Sequence, residues 1–381
     1  MLKALRAYTL HPPSISIGFV FLTSSLLFSS WIARIPETQL RLGLSEGQLG
    51  LALLGLPLGS FCITPISGWI LKKFHSGRAT ALSTYLYCLA IITPTFATGQ
   101  WSLCFGLYLM GLSSGLLNVS MNAATAAVEK NLHLSIMSSC HGMFSLGAML
   151  GAASAGLIAM QGIPHHVHLI VLASIMFILN FSIRPIILNL PQEESAGTAL
   201  ALPTKPLMGL ALIGFCTMIG EGAVFDWSAV YLKNHLNSSA AVAGFGLAGF
   251  SLAMAIGRFS GDALRYRWGA KRIVQAGGWL GVLGLSLAIL FPYPLIAILG
   301  FTIVGFGFST IIPIIFSKAA RLPGMSPGAG IAAIATTGII GFFIGPPLIG
   351  FISDAYGLAN GLAFVACLSL IAAIGSSRMD L

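Results

Sequence analysis

Two carboxyls stand five residues apart in one apolar stretch, Glu221 and Asp226 in EGAVFDWSAVYL. A carboxylate is costly inside a low-dielectric segment, and a buried carboxyl can exchange a proton near neutral pH, which is the chemistry of a proton-coupled step. At about 100° per residue the pair lies roughly 140° apart on a helix, so the two acids serve different faces. Glu221, flanked by Gly220 and Gly222, is expected to face a cavity as a proton carrier, and Asp226 to pair with a neighbouring helix. The alternative is that both are hydrogen-bonded structural groups.

The other polar candidates suit a solute. Asn118 and Asn122 are four residues apart and share one helix face. Their amides both donate and accept, which fits hydroxyl-rich ligands or hydrogen bonds between helices. His141 is a titratable contact or a packing residue. Trp31, Trp227 and Phe308 offer an apolar platform or plain packing. Arg34, at the end of the first apolar run, could hold an anionic substrate group, pair with a carboxylate of the opposite half, or snorkel to water beside Glu37. His165, His166 and His168 cluster in an expected loop without acidic partners, so no metal site is expected. The chain carries no GxxxxGK[ST], HExxH or GxSxG pattern, and its six cysteines are scattered without a CxxC pair. ATP drive, zinc hydrolysis and acyl transfer therefore lack their residues, and neither a cofactor nor enzymatic activity is expected.

The elements that hold these residues follow from composition. Of 381 residues, 56% are hydrophobic and 8% charged, against about 25% charged in soluble domains. A mean hydropathy of +0.91 makes lipid the natural solvent. Apolar runs of about twenty residues, each long enough to cross the bilayer as a helix, repeat twelve times. They cover Ile15–Ile35, Leu49–Leu71, Ala79–Ala97, Trp101–Val128, Ser138–Met160 and Val167–Leu188, then Leu207–Leu232, Ala240–Phe259, Ile273–Phe291, Leu295–Phe316, Gly328–Ile352 and Leu358–Ser376. The fold class expected is an all-α membrane protein with six-helix bundles over 1–188 and 207–381 and a polar linker at 189–206. The basic N-terminus runs into a full-length span and reads as an uncleaved signal anchor.

With the N-terminus in the cytoplasm, sixteen of the nineteen Lys and Arg fall inside, leaving Arg34, Arg41 and Lys233 outside. That asymmetry sets a topology with both termini cytoplasmic and accounts for the +9 net charge without nucleic acid. The basic turns Gly68–Arg78 and Gly261–Arg272 occupy corresponding places in the two sixes, as in transporters built from repeats.

GRFSGDALRYRWGAKR (Gly257–Arg272) resembles the cytoplasmic loop motif of the major facilitator superfamily, with Gly257, Arg258, Gly261, Asp262, Arg267 and Gly269 in pattern. The first-half copy is degenerate, with Trp69 at the place of the acid. GLSSGLLNVSMNAA (Gly111–Ala124), EGAVFDWSAVYL (Glu221–Leu232), FSTIIPIIFS (Phe308–Ser317), WIARIP (Trp31–Pro36) and SSCHGMFSLGA (Ser138–Ala148) resemble helices of its fucose-permease-like and YbjJ-like bacterial branch. The resemblance implies two six-helix bundles working by alternating access in the inner membrane, as a monomer. It implies a gating cluster of Asp262, Arg258, Arg265 and Arg267. It also implies a sugar-like or anionic solute contacted by Arg34, Trp31, Asn118, Asn122, His141, Trp227 and Phe308. Asn118 stands where this branch usually has a carboxylate, so that site takes no proton. Proton symport through Glu221 and Asp226 is the expected energetics. Export by proton antiport is the alternative, and a membrane-embedded enzyme or non-transporting protein is the reading from another class.

Overall fold

A computed structural model describes residues 11–132, 136–191, 203–322 and 327–377, and all regular structure among them is helical. Most of the expected 189–206 linker lies outside the described residues. Twelve helices are long and apolar enough to cross a membrane. In lipid every backbone N–H and C=O must pair within its own segment, so runs this apolar have no alternative to helix.

In the first half these helices are α1 (Pro12–Leu42), α2 (Glu46–Phe74), α3 (Ser76–Phe96), α4 (Gln100–Leu132), α5 (Met137–Met160) and α6 (His165–Ser182). The second half holds α7 (Lys205–His235), α8 (Ala240–Trp268), α9 (Ala270–Leu290), α10 (Pro294–Ala319), α11 (Pro327–Tyr356) and α12 (Leu358–Ser377). All twelve expected spans are present. The three histidines expected in a loop fall instead in the first turn of α6.

Local chemistry sets the ends. Gly43 closes α1 in the left-handed region, where glycine carries no Cβ penalty. Ser239 caps α8 by accepting from the Val242 N–H at 3.4 Å. Glu129, near the end of α4, accepts from the backbone N–H groups of Ile136 and Met137 at 2.6 and 2.7 Å. The carboxylate thereby satisfies donors at the start of α5 that have no intrahelical partner. Hydroxyls inside the helices bond back one turn, as Thr80 does to the Ser76 carbonyl at 2.7 Å. α10 breaks at Ser309 and Thr310 before resuming at Ile311. Pro313 leaves the Ser309 carbonyl without its usual donor there.

The chain forms two compact units, Met1–Trp31 with Ala52–Thr198, and Ile32–Leu51 with Ala199–Leu381. The first unit is built on close approach of α2 and α4. A β-carbon at Gly55, Gly59 or Gly111 would overlap the carbonyl of Cys104, Tyr108 or Leu56 on the facing helix. Backbones that near gain dispersion contact, which replaces the missing hydrophobic drive between helices in lipid. The second unit repeats the device between α9 and α10, where Gly277 faces the Gly307 carbonyl and Gly284 faces that of Gly300.

The two basic turns have the same backbone. His75, between α2 and α3, has φ 64° and ψ 152°, and Gly269, between α8 and α9, has φ 80° and ψ 155°. With these residues equated, Gly68 corresponds to Asp262, one position from the Trp69 that sequence alone suggests. The conformation is almost exclusive to glycine and costs other residues about 1–3 kcal/mol. His75→Gly is therefore expected to raise the melting temperature of the purified protein by about 2–4 °C. An unchanged or lower value would show that the histidine side chain offsets its own strain.

Candidate functional site

The first unit carries four of the candidates. Asn118 is exposed on α4 and Asn122 partly buried one turn on. The Asn122 Nδ2 donates to the Asn118 carbonyl at 2.8 Å, which fixes one amide and leaves the Asn118 side chain presented on the same face. His141 on α5 lies edge-on to Phe21 of α1, 5.2 Å between ring centres. Trp31 is buried and stacks on His165 at 5.2 Å, the rings within 10° of parallel. That stack ties the first helix to the sixth. His166 points elsewhere, against Phe96 at 6.0 Å. Among the described residues no group of His, Cys, Asp or Glu is placed to hold a metal ion.

The second unit carries the rest. Arg34 is only 2% exposed and takes Glu37 through both carboxylate oxygens, Nε to Oε1 at 2.8 Å and Nη2 to Oε2 at 2.6 Å. Among the partners open to it, Glu37 is one that the structure shows. A bidentate guanidinium pair is a strong charge-assisted arrangement, and it neutralises Arg34 within one helical turn.

Glu221 lies midway along α7, and the Arg258 Nη2 on α8 donates to its Oε1 at 3.5 Å. The pairing thus falls to Glu221, the reverse of the assignment drawn from its flanking glycines. Those glycines serve packing: Gly220 admits the Phe308 ring of α10, and Gly222 admits Phe342 of α11. Asp226 is partly buried on α7 and makes no hydrogen bond or ion pair with any described residue. Among the described residues one acid is thus compensated and the other is not. The signal that sequence reasoning missed is Arg258, a basic residue 37 positions away that the loop resemblance had assigned to a gate.

Glu221→Gln alone removes the counter-charge of Arg258 and is expected to lower thermal stability. Replacing both by glutamine should recover part of the loss, giving a coupling of about 1 kcal/mol for a pair with this much solvent access. Strictly additive melting shifts would show that the pair contributes nothing.

Trp227 and Phe308 are buried, at 0% and 1% exposure. The Phe308 ring sits between Gly220 of α7 and Gly281 of α9, so it clamps three helices. The indole N–H of Trp227 and the hydroxyl of Ser228 have no hydrogen-bond partner among the described residues.

The loop motif also works through its small residues. Gly257 leaves room for Ser309, and Gly261 for Thr310, at the break in α10. The Arg265 Nη1 donates to the Ser317 hydroxyl at 3.3 Å, again joining α8 to α10. Arg267 lies over the Trp268 ring at 6.0 Å. The side chain of Asp262 lies outside the described residues, so the acid of the expected gating cluster is placed only by its backbone.

Twelve spanning helices, repeated turns and isolated intramembrane charges define a polytopic carrier of the two-repeat kind. The sequence matches the Major Facilitator Superfamily over residues 14–208 and 210–377, and the chain belongs to that family. It is a multi-pass membrane transporter, not an enzyme. An uncharacterized MFS-type transporter of Yersinia pestis is 29% identical over 359 residues, 94% of each chain. A candidate tartrate transporter of Agrobacterium vitis is 39% identical over 97 residues, 25% of this chain and 22% of the other. Among solved structures, a point variant of the nucleoside transporter NupG superposes with a TM-score of 0.75 at 13% identity, covering 97% of this chain and 100% of that one.

Proposed function

We propose that this protein is a proton-coupled carrier of a small polar solute, sugar-like or an organic anion, working by alternating access in the cytoplasmic membrane. Both termini face the cytoplasm, and the protein acts as a monomer of the YbjJ-like and fucose-permease-like branch. The observation that carries the reading is Asp226, a carboxyl inside a spanning helix with no counter-charge among the described residues, close to a second acid that has one. An uncompensated charge in a membrane span is expensive, and taking up a proton removes it. A carrier that must discharge such a group before it reorients moves a proton with each cycle. Glu221, held by Arg258, shapes the wall beside it.

On the solute side, the Asn118 and Asn122 face supplies donors and acceptors for hydroxyls, with His141 on the neighbouring α5. Trp227 and Phe308, both buried, stiffen the second unit. The partial likeness to a candidate tartrate transporter supports a hydroxylated organic anion as the first class to test. The motif at Gly257–Arg272 has the gating role that its resemblance implies.

The test is uptake into proteoliposomes with an acid exterior. Labelled gluconate, tartrate and fucose are offered with and without the gradient. Accumulation that vanishes when a protonophore collapses the gradient supports symport. Gradient-driven loss from preloaded vesicles supports the antiport reading, which would use the same Asp226. Transport indifferent to pH would remove proton coupling.

A further inference from the structure

A cavity of about 520 Å³ opens within the second unit at the far end of α1, away from the candidate residues of α7 and α8. Two turns form it, one joining α1 to α2 and the other joining α7 to α8. The volume falls in the range that holds one small ligand. We propose that it binds a small hydroxylated carboxylate at a site lined by none of those candidate residues.

The chemistry of the lining selects that class. Lys233 brings the cation, and among the described residues its ammonium makes one hydrogen bond, to the Ser238 carbonyl at 3.3 Å. An ammonium has three donors, so capacity remains for a carboxylate. Asn234 gives its Nδ2 to Gln39 Oε1 at 3.0 Å, which orients the amide and leaves its Oδ1 as an acceptor. Asn237 has φ 51° and makes no hydrogen bond with a described residue, so its side-chain amide is available both ways. Glu46, also in the lining, adds an acceptor for hydroxyl protons and disfavours a second anionic group. Leu40, 63% exposed, covers the carbon skeleton of a ligand. One cation, several hydroxyl partners and a single apolar patch describe an acid such as gluconate better than a bare polyol or a fatty acid.

Two features hold the site ready without a ligand. Gln39 is buried at 4% exposure, and its Nε2 donates to the Leu44 carbonyl at 3.2 Å. The α7 end of the wall is a π turn over Tyr231–His235, and π turns recur at functional sites. Tyr231 anchors that turn by donating its hydroxyl to the Ala288 carbonyl at 2.8 Å.

The experiment is saturation-transfer NMR and calorimetry on the purified full chain in detergent, with gluconate, sorbitol and butyrate as probes. Gluconate is expected to bind, with sorbitol and butyrate each about tenfold weaker or more. Lys233→Gln should weaken gluconate by about tenfold, the usual loss for a hydrogen bond to a charged group, while Lys72→Gln, an exposed lysine outside the lining, leaves it unchanged. Asn237→Gly suits the left-handed backbone, so it should melt no lower than wild type and still bind more weakly. Absence of gluconate binding to the wild type would overturn the site, as would full affinity in Lys233→Gln. Equal binding of sorbitol and gluconate would overturn the role of Lys233.

Discussion

Asp226→Asn is expected to abolish gradient-driven accumulation while leaving exchange of solute for solute within about threefold of wild type. With one proton per neutral solute, one pH unit sustains at most about tenfold accumulation; the variant should equilibrate at about onefold. Asparagine has the shape of the protonated acid and cannot lose that form, so the loaded carrier still reorients but no longer takes its direction from the gradient. The physical basis is the contrast within α7, where Glu221 meets Arg258 at 3.5 Å and Asp226 meets no described partner. Glu221→Gln should act differently, lowering thermal stability and slowing both exchange and net uptake together. Tenfold accumulation by Asp226→Asn would remove this residue from the coupling step and leave the carrier reading of the family intact.

Gly111→Leu is expected to be the most damaging substitution in the first unit. Even a β-carbon at Gly111 would overlap the Leu56 carbonyl and crowd Gly59, and neither is the end of a side chain that can swing away. Overpacking of this kind costs about 1–3 kcal/mol, and a backbone partner puts leucine at or beyond the upper end. The expected result is little monodisperse protein after purification and a melting temperature about 4–10 °C lower in what remains. Gly99→Leu is the control, because a β-carbon there meets nothing within 4 Å. If Gly111→Leu melted like the control, the α2–α4 seam would not be as tight as described.

Much of the architecture was legible because the bilayer imposes one length and one backbone solution. Apolar runs such as Leu295–Phe316 have no reading other than a span, and the even count follows from where the charges fall. Interior breaks were less legible. Leu54 and Ser309 interrupt helices whose composition runs on unbroken, because hydropathy averages over single residues. The candidate site was legible by residue type but only partly by partner. Two acids 140° apart on one helix face different surroundings, and only Glu221 meets a described base. Which one meets a base depends on Arg258 arriving from the next helix, and no pattern local to α7 contains that. Gly220 and Gly222 suggested an open surface, yet they are small because Phe308 and Phe342 need their space. For Arg34 the sequence did offer the right neighbour, since Glu37 lies three positions along and the two pair across one turn.

The π turn at the end of α7 sets the rotational phase of the chain beyond it. The Leu236 N–H reaches the Tyr231 carbonyl, and the Ser238 N–H that of Leu232, so each ring closes with more residues than an α turn uses. Deleting one residue between Tyr231 and His235 would let ordinary α spacing return with the downstream chain in nearly its present phase, because the wide turn already takes up the extra residue. The seventh helix would still span and its acids would stay in place, but Asn234 would lose the widened turn from which it meets Gln39. The end of α7 can therefore gain or shed a single amino acid, like slack in a rope, without twisting the stretch that carries the acids.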